Sequence, residues 1–362
     1  MIQPWLSILA LALVPVSVVL ALVHAPAVWV FAAGAAGILP LSAWIRRATE
    51  QVAACAGPAI GGLLNVTFGN AAEFVLALFV LRSGNTEVVK ATITGSIIGN
   101  SLLGLGVAIL AGSVGRDRQT FPRERAGLLA GLLILSVIAL LLPALFDYAE
   151  RSLVTPAREH TLDERLSLGV SVVLIVVYVA NLFYTLVTHR DVFASSEEQG
   201  TPEWSLAKAI AVLAAATVAV AVEAELVSGA LEATAERLKV SLLFVGVIVL
   251  PLIGNAAEYV SALYFARRDR MGLVMTISLG SSIQIALMTA PALVLGSYLF
   301  GHPMDLVFAH PLELMGIAGS AFVVNAIALD GETNWFEGVM LIAVYALLAL
   351  AFFFATGTAG KT

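Results

Sequence analysis

The sequence predicts an all-α integral membrane protein of about eleven transmembrane helices, one extra amino-terminal helix followed by two inverted five-helix repeats. Three observations predict it. First, 60% of the 362 residues are hydrophobic and 12% are charged, with mean hydropathy +0.96. A soluble domain carries about 25% charged residues, so much of this surface must face lipid. Second, Trp5 to Val23 and Leu128 to Leu145 contain no charge at all, and a bilayer core takes about 20 apolar residues per helix. Third, the pentapeptide Gly-Asn-Ala-Ala-Glu occurs twice inside apolar runs, at 69–73 and 254–258.

Runs bounded by charges or by Pro and Gly place the spans at 4–23, 26–45, 57–81, 88–112, 125–147, 166–188, 205–230, 240–265, 271–298, 306–328 and 335–356. The first follows Met1-Ile2-Gln3-Pro4, which lacks a basic region, so it reads as a retained span and not a cleaved signal peptide. The second stops before Arg46, Arg47 and Glu50; the third and eighth carry the pentapeptides. The longest polar connection, Thr188 to Glu203, holds Asp191, Glu197, Glu198 and Glu203, and reads either as a solvated linker or as an acidic segment that senses cation. The expected organisation is therefore an extra helix at 1–24, a first repeat at 25–190, a linker at 191–203 and a second repeat at 204–357.

The repeat is read from an offset. Glu73 and Glu258 are 185 positions apart, and the same offset lays Gly95-Ser96 on Gly280-Ser281 and brings Glu50 beside Glu236. Five spans per unit is an odd number, so the second unit must be inverted relative to the first, the plan of secondary transporters, whose site lies near the midplane between repeats. Lys and Arg in alternating loops divide eleven to eight. The richer side is expected to be cytoplasmic, which puts the amino terminus inside. The net charge of −6 is scattered over short loops, and no basic cluster suggests nucleic acid. The single cysteine, Cys55, excludes an intrachain disulfide.

A carboxylate at the centre of a membrane helix costs about 2.5–3.5 kcal/mol on insertion scales. One such group can be a hydrogen-bond partner between helices; two at symmetric positions argue for function. Asn70 and Glu73 are three apart and share a helix face, as do Asn255 and Glu258. Pro58, Gly61, Gly62, Gly69, Pro251 and Gly254 stand beside them and can break a helix, exposing carbonyl oxygens. Ser96 and Asn100, with Ser281 and Gln284, add oxygens, though small polar residues also serve merely to join helices. A calcium ion takes about 6–8 such hard ligands. No thiolate cluster or His pair at ligand spacing favours copper or zinc. Two carboxylates balance one divalent cation or about two protons, and without cation they would titrate as a coupled pair. Glu223 and Glu225, late in the seventh span, read as access-path or interfacial groups, and the five histidines receive no role.

These residues carry a resemblance. GPAIGGLLNVTFGNAAEFVLALFVL (57–81) with TGSIIGNSLLGLG (94–106) resembles the first conserved repeat of the calcium/proton exchanger (cation/proton exchanger) family of the calcium:cation antiporter superfamily. FVGVIVLPLIGNAAEYVSAL (244–263) with GSSIQIAL (280–287) resembles the second, and HPMDLVF (302–308) with VNAIALDGETNWFEGVMLIAVY (324–345) the last two spans. The resemblance, from about Arg46 onward, implies one extra helix plus two inverted repeats and an antiporter that moves Ca²⁺ against H⁺. By motif position Glu73 and Glu258 match the glutamates that carry cation and protons; Asn70, Asn255, Ser281 and Gln284 match polar positions around them, and Asn100 the Gly-Asn position of the first repeat. Many members have His after the second glutamate, where this chain has Tyr259, which bears on ion selectivity and coupling.

The expectation is thus a non-enzymatic Ca²⁺/H⁺ antiporter with no cofactor, Ca²⁺ being its substrate, working by alternating access in lipid. The short polar amino terminus fits a prokaryotic inner membrane. Rival readings are exchange of Mn²⁺, Na⁺ or K⁺, a Na⁺-driven exchanger, and a cation channel using Glu73 and Glu258 as a selectivity ring. An intramembrane enzyme is disfavoured by the lack of HExxH, GxSxG or a midplane aspartate pair.

Overall fold

Apolar runs with no water to bond their backbone must satisfy it internally, and the helix does so. A computed structural model describes residues 12–56, 68–150, 156–188, 202–308 and 310–355, with side chains from 160 onward in the third of these segments. The helices are α1 (Leu13–Leu22), α2 (Ala27–Ala56), α3 (Ala71–Arg82), α4 (Thr86–Gly112), α5 (Arg123–Glu150), α6 (Pro156–Phe183, extended by the π-helical Tyr184–Thr188), α7 (Leu206–Leu238), α8 (Leu242–Gly254), α9 (Ala256–Arg267), α10 (Met271–Phe300), α11 (Pro311–Asp330) and α12 (Trp335–Phe354). Among the described residues eight are long and apolar enough to cross a membrane, and α8 with α9, bent by 56°, passes the same test as a pair. Every expected span has a helix among the described residues. Pro58, Gly61 and Gly62, the acidic residues 191, 197 and 198, and the start of the first span lie outside them.

Four boundaries differ from expectation. α6 starts at Pro156 and not 166. α2 runs past residue 45 to Ala56 and α7 past 230 to Leu238. Charges end an apolar run but not a helix: Arg46 pairs with exposed Glu50 one turn on (3.2 Å), and Glu236 likewise faces outward. The tenth span starts at Pro311 and not 306, because Met304, Leu306 and Phe308 are buried in a non-helical stretch. Its backbone finds side-chain partners: Met304 N donates to Ser297 Oγ (2.9 Å) and Leu306 N to Ser167 Oγ (2.9 Å). Lys90, at the start of the fourth expected span, is buried on α4.

The described residues cluster into two compact units, each drawing on both halves of the sequence. One comprises residues within Met1–Ser83 and Val179–Lys239; in it α2 packs along α7, with α1 and α3 alongside. Glu223 is fully buried there and accepts a hydrogen bond from Ser17 Oγ at 2.7 Å. Glu225 is exposed and pairs with Arg82 (3.3 Å). Ser17→Ala would strip a buried carboxyl of its donor, a change worth about 1–3 kcal/mol. We expect a lowered melting temperature in detergent, with Ser17→Thr close to wild type; equal melting of Ser17→Ala and wild type would contradict the contact.

The other unit comprises residues within Gly84–Tyr178 and Val240–Thr362. There α11 packs on α5, α12 and α9 on the carboxyl-terminal part of α4, and α10 on α5. A two-residue antiparallel ladder, β1 (Gln119–Thr120) with β2 (Glu332–Thr333), pairs Gln119 with Thr333 and joins the loop after α4 to the α11–α12 turn. The middle of α4 lies against π-helical Val245–Val249 of α8. Two glycines permit that approach: a Cβ on Gly95 would collide with the Val247 carbonyl, and one on Gly246 would stand 2.6 Å from Ala91 Cβ.

Candidate cation-binding site

Both pentapeptides fold alike. Asn70 (φ −103°, ψ 22°) and Asn255 (φ −98°, ψ 8°) leave helical geometry and precede helices of 12 residues whose bounds, Ala71–Arg82 and Ala256–Arg267, recur at the 185-residue offset. Each asparagine carbonyl accepts from the fourth amide beyond it, Phe74 N at 2.9 Å and Tyr259 N at 3.1 Å. Both helices end in matching turns with positive φ, at Gly84 (86°) and Asp269 (60°), again 185 apart. The break that Asn255 makes is stabilised by its own side chain, whose Nδ2 donates to the Pro251 carbonyl at 3.1 Å. Pro251 lies inside α8, so the asparagine, and not the proline, marks the bend.

The consequence is electrostatic. Glu73 and Glu258 each occupy the first turn of a new helix, where free backbone N–H groups and the helix dipole favour negative charge. Both are buried, at 3% and 9% exposure. A helix start thus lowers the cost of carrying a carboxylate inside an apolar structure.

In the second unit four of the expected site residues form one hydrogen-bonded cluster. Asn100 Nδ2 donates to Asn255 Oδ1 and to Ser281 Oγ, both at 3.0 Å. Asn255 Nδ2 donates to Ser96 Oγ at 3.1 Å. All four are buried. Asn100 spends its donors on neighbours and leaves its buried carbonyl oxygen, Oδ1, accepting no hydrogen bond among the described residues. Glu258 follows Asn255 and Gln284 follows Ser281 by three residues, on the same helix faces; Gln284 is also buried. Asn70 and Glu73 form the corresponding local element, both buried, in the first unit.

Sequence reasoning missed how α4 and α10 present these groups. Each opens into π-helix, over Gly99–Gly104 and Ile285–Thr289, so the wide turns also recur at nearly the same offset. π segments are rare and cluster at functional sites. The two helices touch at equivalent positions: Ser282 Oγ donates to the Ile97 carbonyl at 3.3 Å, residues that are 185 apart. Contact between equivalents is what a local two-fold relation produces. The only available signal was the glycine pair at the ends of the first π segment. The Tyr259 side chain explains that pair, since a Cβ would fall 2.6 Å from its hydroxyl at Gly99 and 2.7 Å from its ring at Gly104. Glu313, buried in the first turn of α11, was also missed. Among the described residues no three His, Cys, Asp or Glu side chains gather as a metal cluster; the four clustered side chains carry amide and hydroxyl oxygens, which are hard donors.

Known proteins share this plan. A profile of the family described as sodium/calcium exchanger protein matches residues 26–187 and 208–354. The Ca(2+)/H(+) antiporter of Synechocystis sp. is 42% identical over 348 residues, 90% of this chain and 91% of that protein. The Ca(2+)/H(+) antiporter ChaA of Bacillus subtilis is 41% identical over 352 residues, 96% of this chain and 98% of that protein. The solved structure of native YfkE matches with a TM-score of 0.82 at 36% identity, covering 96% of this chain and 99% of that one. With its apolar helices, its doubled Gly-Asn-Ala-Ala-Glu motif and a profile match over most of its length, this integral membrane protein belongs to the sodium/calcium exchanger protein family.

Proposed function

We propose that this protein is a secondary antiporter that exchanges Ca²⁺ for H⁺ across a membrane by alternating access. Glu73 and Glu258 bind either the cation or protons. The observation that carries the reading is the repeated local element: two buried glutamates, each in the first turn of a helix that follows an asparagine of non-helical backbone. Relatives named Ca(2+)/H(+) antiporter at 42% and 41% identity support the same ion pair. Two carboxylates match the charge of one Ca²⁺, and protonation of both restores neutrality when the cation leaves. Asn70, Asn255, Ser96, Asn100, Ser281 and Gln284 supply neutral oxygens around them. The repeats are inverted and the site is at the midplane. No cofactor takes part, and Ca²⁺ is cargo. The bacterial relatives support a prokaryotic plasma membrane, and the loop charges an inside amino terminus.

The test is Ca²⁺ flux into proteoliposomes of the purified protein under an imposed pH gradient, with voltage clamped and Na⁺ present or absent. Uphill Ca²⁺ movement that collapses with a protonophore and ignores Na⁺ is expected. Movement that runs only downhill would indicate a channel, and movement that requires Na⁺ a different driving ion. Within the same assay Ser281→Ala and Gln284→Ala should raise the apparent KM for Ca²⁺ severalfold with little change in maximal rate. An unchanged KM in both would remove these two side chains from the cation's coordination.

A further inference from the structure

A second polar system occupies the same unit and is not used by the site above. On α4, Glu87, Lys90, Thr94 and Ile97 follow at helical spacing and share one face. The Glu87 side chain is 56% exposed, that of Lys90 only 5%. Lys90 Nζ spends its three donors on Glu87 Oε1 (2.6 Å), Asp305 Oδ1 (3.0 Å) and the Val307 carbonyl (2.8 Å). One turn further in, Thr94 Oγ1 donates to Glu313 Oε1 at 3.3 Å. Glu313 is 3% exposed, and its Oε2 accepts from His310 N at 3.3 Å. One turn beyond Thr94, the Ile97 carbonyl accepts from Ser282, which is also 3.0 Å from Ser101 Oγ. Those residues adjoin Asn100 and Ser281 of the cation cluster. The polar groups of this face therefore run from an exposed carboxylate, past a buried ion pair, to a buried carboxyl one helical turn short of the serines that adjoin the candidate site.

We propose that Glu313 is a proton-relay residue for this transporter, passing protons between the exposed Glu87 end of α4 and the buried Asn100–Ser281 cluster. The proposal rests on the antiport reading. A threonine hydroxyl both donates and accepts, so Thr94 can hold a hydrogen bond to either protonation state of the carboxyl. The charged groups acting on Glu313 are Glu87 and Lys90 of α4; Asp305 lies behind Lys90, and His310 contributes its backbone amide while its ring caps Leu312 N. In each passage the carboxylate takes up one proton and gives one up, so the residue ends as it began. Intramembrane carboxyls placed along such polar faces mark proton relays in pumps and transporters. The competing explanation is structural: Glu313 completes a capping box with His310 at the start of α11. Glutamine fills that cap as well as glutamate does, which separates the two.

The experiment uses the full chain in proteoliposomes and compares wild type with Glu313→Gln and Thr94→Val. Measured are pH-driven Ca²⁺ flux across a range of pH, the KM for Ca²⁺ and the melting temperature in detergent. Glu313→Gln should retain melting and KM, lose about ten-fold or more in maximal rate, and show a flattened pH profile. Thr94→Val should show the same effects more weakly, and it carries the test if the glutamine variant fails to fold. Wild-type rates and pH profile in the folded variants would overturn the relay, as would a slower rate with lowered melting and an unchanged profile. Wild-type protein that moves Ca²⁺ without any dependence on the pH gradient would overturn the antiport reading, and the relay with it.

Discussion

Glu73→Gln and Glu258→Gln, each alone, should reduce H⁺-driven Ca²⁺ exchange to the background of protein-free liposomes while the protein still expresses and folds. Glutamine keeps the shape of glutamate and one carbonyl oxygen but removes the titration and half of the divalent cation's countercharge. With one carboxylate left, bound Ca²⁺ would carry a net positive charge inside an apolar structure, an expense that neither amides nor hydroxyls offset. The proton half-cycle fails as well, because the remaining group cannot exchange two charges. Folding should survive, since both residues sit at helix starts where a neutral side chain is tolerated. Flux in reconstituted vesicles, beside a melting curve for each variant, is the check. Wild-type exchange by either variant would contradict the paired-carboxylate mechanism.

The largest effect on stability should come from Gly95→Ala. Its Cβ would run into the Val247 backbone carbonyl and stand 2.6 Å from the Pro251 ring. A carbonyl within a helix cannot rotate away, so α4 and α8 would have to separate. The cost belongs at the upper end of the ~1–3 kcal/mol typical of overpacked interiors. The repeat supplies an internal control. Gly280 is the equivalent glycine at the 185-residue offset, and a Cβ there meets nothing within 4 Å. Gly280→Ala should melt with wild type, and Gly95→Ala well below it. Equal melting of the two would mean that α4 and α8 are not held this closely.

Much of this was legible in the sequence because a bilayer imposes coarse rules. Apolar run length located a helix for every span, and the doubled pentapeptide located both helix starts that carry Glu73 and Glu258. The ends of α2 and α7 were illegible from apolarity, since Arg46, Glu50 and Glu236 continue a helix whose charges face outward. The burial of Lys90 was hidden for a different reason. Its partner Asp305 lies 215 positions away, and no local pattern reports an ion pair at that distance. Glu313 reads in sequence as a first-turn acid at a helix start, and only the packing of α11 on α4 buries it. The bend at residue 255 was expected from neighbouring Pro and Gly, yet the Asn255 side chain, which substitutes for lost helix bonding at Pro251, marks the position. The π segments leave almost no trace beyond Gly99 and Gly104, because a wide turn is set by what packs into it. The division into two units drawn from both halves follows from long-range contacts that spacing along the chain does not encode.

The central claim is that the same two carboxylates hold either Ca²⁺ or protons. It is tested most directly by titrating purified protein with Ca²⁺ in weakly buffered detergent solution near neutral pH while following the pH of the medium. Binding should release protons, up to about two per Ca²⁺ as charge balance at two carboxylates requires, and the release should vanish in the Glu73→Gln, Glu258→Gln double variant. Ca²⁺ binding with no proton release from the wild type, or release that persists undiminished in the double variant, would contradict it.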